Sequence, residues 1–434
     1  MRWQAALMAT AAMALLSGPA LADEKAPAAK TPAAKPMKPG KRDEKVWKAV
    51  EAATPGALDL LKQLVAIDSQ TGDLEGAAKI HAILIPRFKA LGATVEVAKS
   101  EAPDVAADNL VFTLTGTGKV RILIIAHIDT VFPKGTTAKW SWNVNGDRIS
   151  GPGITDEKGG VVEALTVLEV LKSLGHKDYA KITILIDGSE ETGSPGSTQL
   201  IKKLSREHDV ELNMEPGDAP DSVTVWRKGS ANIRIDVHGR AAHAGVAPQN
   251  GRNAAVELLH QLLVVDQFPH SGDQETVNLT VLRAGERTNV IPDLASATIN
   301  VRVRKLEDYD RITGVFQANA KTTLVPDTTV EVSRTGNFPP LSDNPGTAGL
   351  AARAQRIYGE LGRPLGLAGN GGASESALAS AEGAAAIDGL GPVGGDFHTD
   401  HEWMDVTTVT PRYYLVARLI IDLGKTPPTR ADGH

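Results

Sequence analysis

The chain has 434 residues, a formal charge of −6, 42% hydrophobic and 23% charged residues, and no cysteine. That length exceeds one ordinary core, so two domains are expected, and the composition is that of a soluble globular protein. The charge offers no basic field for nucleic acid, and the missing cysteines exclude disulfide frameworks and thiolate metal sites, leaving histidine and carboxylates as the ligands for any metal.

The first 22 residues read as a signal peptide. Arg2 gives the positive start, Ala5 to Leu16 the apolar run, and Ala20-Leu21-Ala22 the small-x-small cleavage site. The run is shorter than the ~20 residues that span a bilayer, so no membrane contact is expected after its removal, and a periplasmic or secreted protein is implied. Residues 23–45 hold seven basic and four acidic residues among Ala and Pro, and read as a disordered linker of net charge +3. With +1 from Arg2, the remaining body carries −6 − 3 − 1 = −10.

Thr54-Pro55 reads as a helix start with Thr as cap, and a second helix is expected over Leu74–Leu91. Val120–Ile125 and Ile182–Ile186 are continuous apolar strands, separated by helical spacing over Gly160–Leu174. Such alternation predicts an α/β sheet, mostly parallel and covered on both faces. After about Val225 the pattern changes. Strands at Ala231–Val237, Leu279–Leu282, Ala297–Val303 and Thr328–Val332 enclose helices at Ala254–Val265 and Leu306–Leu324. The order β-α-β-β-α-β predicts a ferredoxin-like α+β domain at 225–339, inserted into a catalytic domain of 46–224 and 340–434. Helices near Gly349–Tyr358 and Pro411–Leu423 close the chain.

Five polar clusters stand out. His127-Ile128-Asp129 follows a buried strand, at the sheet edge where open α/β folds bind ligands. Residues two apart on an extended segment face the same way, so His127 can bind a metal while Asp129 accepts its other N–H. Asp156 lies in Gly151-Pro152-Gly153-Ile154-Thr155-Asp156-Glu157-Lys158-Gly159-Gly160; it is either a helix N-cap or a carboxylate able to bridge two metals. Glu190 and Glu191 follow the next buried strand, where adjacent acids repel unless a cation is near; one can ligate and the other act as general base. Glu215, in Met214-Glu215-Pro216, and His398, in Gly395-Asp396-Phe397-His398, complete the set. Singly, these are a capped strand end, a helix cap, an exposed acidic turn and loop residues. Together, two histidines and three or four carboxylates at strand ends fit two zinc ions about 3.5–4 Å apart. His238 and His401 read as surface residues. There is no Walker loop, nucleophile elbow or dinucleotide-binding glycine pattern.

Those clusters, in this order, resemble the metallopeptidase family of carboxypeptidase G (glutamate carboxypeptidase), peptidase T, aminoacylase and succinyl-diaminopimelate desuccinylase. The likeness covers the chain after Lys45, and Asp156-Glu157-Lys158-Gly159-Gly160, Glu190-Glu191-Thr192-Gly193-Ser194, Met214-Glu215-Pro216 and Ala417–Gly424 point to the glutamate carboxypeptidases. The resemblance implies two Zn2+ per chain: Glu215 and His127 on one, Glu191 and His398 on the other, and Asp156 bridging. It further implies Glu190 as general base, Asp129 orienting His127, and His243 stabilising the oxyanion, often from the neighbouring subunit. Asn289, Arg302 and Arg334 match positions near the substrate carboxylate, with Arg334 the first choice for it. A homodimer formed through a small lid domain is implied, with Gly217, Gly229 and Gly336 as hinges.

The expected reaction is hydrolysis of an amide bond that releases a C-terminal amino acid, glutamate from a folate-like or N-acyl substrate. The alternatives are a dipeptidase or aminoacylase on other N-acyl amino acids and, more distantly, a periplasmic binding protein. One departure stands in Gly371-Gly372-Ala373-Ser374-Glu375-Ser376, where the family carries Gly-Gly-Thr-Asp-Ala. The longer Glu375 is expected to reshape the substrate end of the site.

Overall fold

A computed structural model describes residues 40–428 and 430. The expected signal peptide, and the expected linker as far as residue 39, lie outside the described residues, and the last part of that linker is ordered instead, Asp43 capping a helix that begins at Glu44. The first helix, α1 (Glu44–Val65), starts ten residues before Thr54, because Asp43 caps it by accepting the N–H groups of Lys45 and Val46. Thr54 is not a cap. Its hydroxyl bonds to the Val50 carbonyl within the helix, and Pro55 is carried because the apolar stripe Val46, Val50, Ala57, Leu60, Leu61, Leu64 runs through it.

The principal remaining elements, short strands and 3-10 turns aside, follow in chain order. They are α2 (Leu74–Leu91), β1 (Thr94–Ala98), β2 (Asn109–Thr115), β3 (Arg121–His127), α3 (Lys158–Ser173), β4 (Lys181–Asp187), α4 (Thr198–Arg206), β5 (Val210–Asn213), β6 (Ser222–Arg227), β7 (Gly229–His238), α5 (Ala254–Leu262), β8 (Glu275–Ala284), β9 (Leu294–Val303), α6 (Asp308–Asn319), β10 (Thr329–Phe338), α7 (Pro345–Gly359), α8 (Glu375–Ala381), β11 (Ala385–Ile387) and α9 (Val406–Lys425).

The central sheet has the order β1-β2-β4-β3-β5-β11. Its last four strands are mutually parallel, and β2 runs against them. Along β3, Ile122, Ile124 and Ala126 pack into the core under α1, α3 and α9, while Leu123 and Ile125 pack against Ile201 and Leu378 of α4 and α8. Both faces are covered, which is why the strand is apolar at every position rather than every second one.

The chain leaves this body at Arg227 and returns at Leu341, whose carbonyl accepts the Arg227 N–H. Between them, β8-β9-β7-β10 form an antiparallel sheet in the ferredoxin-like order. One face packs Ile233, Ile235, Ile299 and Val301 against Leu258 of α5 and Ile312 and Phe316 of α6. The other face carries Ser230, Asn232, Asn300 and Arg302 and looks into a cleft. Among the described residues, no helix is long and apolar enough to cross a membrane.

Candidate metal centre

Parallel strands end on one edge, so topology alone gathers their C-terminal residues. His127 closes β3 and lies in register with Asp187 at the end of β4; Ile125 pairs with Asn213 at the end of β5, two residues before Glu215. Asp156 reaches the same edge from the turn before α3. It is not the helix cap, since Glu157 holds that position and makes no capping bond. Three N–H groups of this turn, from Gly153, Thr155 and Asp156, are received by the buried Glu402 carboxylate at 2.9–3.1 Å. Gly153 adopts φ +68°, and a Cβ there would lie 2.5 Å from Thr130, so the turn needs glycine.

The five acid and histidine clusters converge. Asp156 stands between the two histidines, with Oδ1 3.2 Å from His127 Nε2 and Oδ2 3.3 Å from His398 Nε2. Glu215 Oε1 lies 3.7 Å from His127 Nε2, and Glu191 Oε2 lies 3.1 Å from His398 Nε2. Two triads result, His127–Asp156–Glu215 and Asp156–Glu191–His398, each with ligand atoms within 4.8 Å of one another and with Asp156 in common. Glu190 Oε2 is 4.0 Å from His127 Nε2, between the triads and the cleft.

Asp129 ties the strand end to the acidic turn. The His127 Nδ1–H donates to the Asp129 carbonyl at 3.0 Å, with a carboxylate oxygen at 3.4 Å. The same carboxylate accepts the N–H groups of Glu190 and Glu191 at 3.1 and 3.2 Å and the Thr71 hydroxyl at 2.6 Å. Nδ1 is therefore committed. Nε2, on a histidine that is 0% exposed, makes no hydrogen bond although four carboxylates lie within 4.0 Å.

The electrostatics demand positive charge here. Burial first, and neighbouring acids second, push Glu190 and Glu157 well above the ordinary carboxylate range. Burial also lifts Glu215 to about 8, against the pull of Arg227. Against the upward push of burial, the nearby His127 and His398 rings hold Asp156 low. Bonds to Asp156 and Glu191 raise His398 to about 11. A dication between these groups satisfies all of them at once. The all-nitrogen-and-oxygen donor set suits zinc, cobalt or manganese, and the orphaned, buried Nε2 is the lone pair such an ion takes.

The cleft beside the triads has a volume of about 670 Å³ and is lined by Glu190, Glu191 and His398 on one side and Asn232, Asn300 and Arg302 on the other. Arg302 bonds only to Asn300, at 3.0 Å, and has no carboxylate partner among the described residues. Arg334 lies on the opposite, helix-covered face of the sheet, paired with Asp310 at 2.8 Å and bonded to Thr313. His243 and Asn289 sit side by side outside this cleft, the Asn289 carbonyl accepting the Ala244 N–H. His243 Nδ1 accepts the N–H groups of Gly245 and Val246, which leaves its Nε2–H free to donate outward. His401 is exposed, as is His238.

Glu375 does not face the cleft. It is buried at the start of α8, where the Ser194 hydroxyl donates to it at 3.0 Å, beneath the turn that carries Glu190. The sequence reading also missed Glu157, Arg227, Asp388 and Glu402. Glu157, 1% exposed, accepts the His127 N–H at 3.0 Å; its only signal was a third charged residue in a glycine-rich turn.

Residues 123–422 match the model of peptidase family M20/M25/M40. The chain belongs to this family. It is 36% identical over 387 residues, 88% of this chain and 93% of the other, to carboxypeptidase G2 of Pseudomonas sp. (strain RS-16). It is 28% identical over 285 residues, 61% of this chain and 73% of the other, to a succinyl-diaminopimelate desuccinylase of Afipia carboxidovorans. A tripeptidase structure from Staphylococcus aureus has the same fold, with a TM-score of 0.72 at 24% identity over 86% of this chain and 99% of that one. The chain is thus an M20-family, metal-dependent hydrolase of the metallocarboxypeptidase kind.

Proposed function

We propose that this M20 enzyme holds two zinc ions and hydrolyses an amide bond to release a C-terminal amino acid, glutamate from an N-acyl or folate-like substrate. The observation that carries the reading is the shared carboxylate: Asp156 offers one oxygen to the His127 side and the other to the His398 side. His127 and Glu215 would hold one ion, Glu191 and His398 the other, with Asp156 between them. Ions bound there supply Lewis acidity, lowering the pKa of water and polarising the amide carbonyl.

Glu190 is the base. Its carboxylate is almost buried at the cleft, and its raised affinity for a proton suits it to take one from the attacking water as the C–O bond forms. It returns that proton to the amine nitrogen as the C–N bond breaks. Asp129 holds Glu190 and Glu191 in place through their N–H groups. Arg302, with no acidic partner among the described residues and facing the cleft, takes the carboxylate of the leaving amino acid ahead of Arg334, which Asp310 already neutralises.

The segment 225–339 acts as a lid and dimerisation domain. In its sheet β8 is an edge strand with Leu279, Val281 and Leu282 exposed, and α5 exposes Val256 and Leu259, followed by Leu263 just past its end. An unprotected apolar edge of that length calls for a second copy. In such a homodimer the free Nε2–H of His243 would serve the partner's oxyanion. Residues 1–22 direct the chain to the periplasm or beyond, and N-terminal sequencing of the mature protein checks the cleavage after Ala22.

The deciding experiment is a panel of folates, N-acyl glutamates, other N-acyl amino acids and dipeptides, run with metal analysis and sedimentation. Two zinc ions per chain and preferential release of glutamate support the reading. Release of other residues with two ions makes the protein an aminoacylase or dipeptidase, and a sedimenting monomer ends the dimer assignment.

A further inference from the structure

Arg227 ends β6 just where the chain crosses toward the lid, and no motif or spacing marks it. It is 5% exposed and has two acidic partners. Nε donates to Asp388 Oδ2 at 2.7 Å, and Nη2 donates both to Asp388 Oδ1 at 2.9 Å and to Glu215 Oε2 at 3.3 Å. Asp388 is fully buried just beyond β11 and is itself held by the hydroxyls of Ser374 and Ser376. A continuous buried chain therefore runs from the start of α8 through Asp388 and Arg227 to Glu215.

The two oxygens of Glu215 consequently have different surroundings. Oε2 meets the guanidinium, while Oε1 points toward His127 Nε2, 3.7 Å away. Among the described residues, Glu191 has no arginine or lysine within ion-pair distance.

We propose that Arg227 is a positioning residue: braced by Asp388, its planar fork ties up one oxygen of Glu215, so that Glu215 offers a single oxygen to an ion. The inference rests on the two-ion reading above. A guanidinium suits this task because its N–H groups leave a rigid plane at fixed angles and can serve two acids at once, whereas an ammonium is a point charge on a flexible stem. The consequence is an asymmetric centre. The ion beside His127 has a ligand fixed by a buried network, and the ion beside His398 does not.

The test is Arg227→Lys, which keeps the charge and removes the fork. Zinc affinities of the metal-free protein are measured by competition with a chromophoric chelator, in wild type and variant, and the visible spectra of the cobalt-loaded forms are compared. The expected result is roughly a 10–100-fold loss at one of the two ions, the scale on which partners of metal ligands act, with the other kept within about threefold. The cobalt spectrum should change for one equivalent only. A merely structural loosening would weaken both ions alike, so equal losses, or wild-type affinities at both, overturn the proposal. If Arg227→Lys does not fold, Asp388→Asn retains the guanidinium without its brace. The same one-sided loss is expected there, and unchanged affinities overturn the proposal. A wild-type protein that binds at most one ion refutes instead the two-ion reading on which it rests.

Discussion

Asp129→Asn tests how the sheet edge commands the catalytic turn. The wild-type carboxylate receives the Glu190 N–H on Oδ1, and the Glu191 N–H and the Thr71 hydroxyl on Oδ2, in a site 2% exposed. Asparagine has one oxygen for these three donors. Its cheaper orientation keeps the oxygen at the Oδ2 position and turns the NH2 toward the Glu190 N–H, donor against donor. A buried N–H left without an acceptor costs about 1–3 kcal/mol, and the two surviving bonds lose their charge assistance. The turn can relieve this only by moving, which displaces Glu190 and Glu191 together. A fall in kcat/KM of roughly 10–100-fold is expected, equivalent to ~1.4–2.7 kcal/mol of barrier. Steady-state kinetics on an N-acyl glutamate, with zinc analysis and a thermal melt, measure it. Thr71→Val, which removes only the hydroxyl donor to that carboxylate, should cost ~1.5–3 kcal/mol of stability while leaving both N–H bonds of the turn in place, and serves as control. If Asp129→Asn keeps wild-type kcat, KM and metal content, the turn does not depend on Asp129 and the argument fails.

Glu190→Gln should keep its bound metal and the fold while kcat falls at least about 10²-fold, because the turn is held by backbone bonds that glutamine preserves; undiminished turnover at full metal content would remove Glu190 from the mechanism. Chelation should abolish activity and lower the melting temperature, since ions bind only the folded site; at 100 times Kd the linkage is ~2.7 kcal/mol per ion, and an unchanged melt after chelation would count against resident ions. His208 is fully buried between the Leu204 carbonyl and Thr183, and burial lowers its pKa from 6.5 to about 4. The fold prefers the neutral ring, so this stability is complete above pH 6.5 and drains away as pH falls toward 4. That lowering corresponds to roughly 3–4 kcal/mol at most. Denaturant melts of His208→Gln at pH 7 and 4.5 should show a shallower acid loss than wild type, and parallel losses would place the acid sensitivity elsewhere.

The strand-end clusters were legible in the sequence because one topological fact, parallel strands terminating on one edge, brings distant residues together without any knowledge of side-chain packing. His127, Glu190, Glu191 and Glu215 all follow apolar runs, and Asp156 precedes a helix, so chain order nearly determines their meeting. The two arginines show a signal that was present and passed over. Arg302 alternates with the buried Val301 and Val303 of β9, so strand parity turns it to the open face. Arg334 shares parity with Val330 and Val332, which pack on the helices, and that parity turns it away from the cleft. Thr54 misled for a different reason: a good capping pair stood inside a longer apolar stripe, and packing of that stripe outweighed the local preference. Arg227, Asp388 and Glu402 left no trace in spacing. They act across sequence separations of 12 to 249 residues, on groups that only the folded chain makes neighbours.

The charge arrangement separates hydrolysis from mere ligand capture. Asp156, Glu157, Glu190, Glu191 and Glu215 surround two histidines and one guanidinium, with every carboxylate at most one-seventh exposed. Folding such a group without added positive charge is unfavourable, because each buried acid must either take up a proton or remain charged beside another. A protein that only bound an amino acid would place cations and neutral donors against its carboxylate, as Arg302, Asn232 and Asn300 do on the far wall of the cleft. The acids on the near wall repel the same ligand. On the proposed function, ions would stand between these acids and the substrate, and the far wall would receive its carboxylate. The scissile bond would then lie in the gap between the two walls. Low exposure there strengthens electrostatic interactions, and Glu190 stands at the cleft with Oε2 4.0 Å from His127 Nε2.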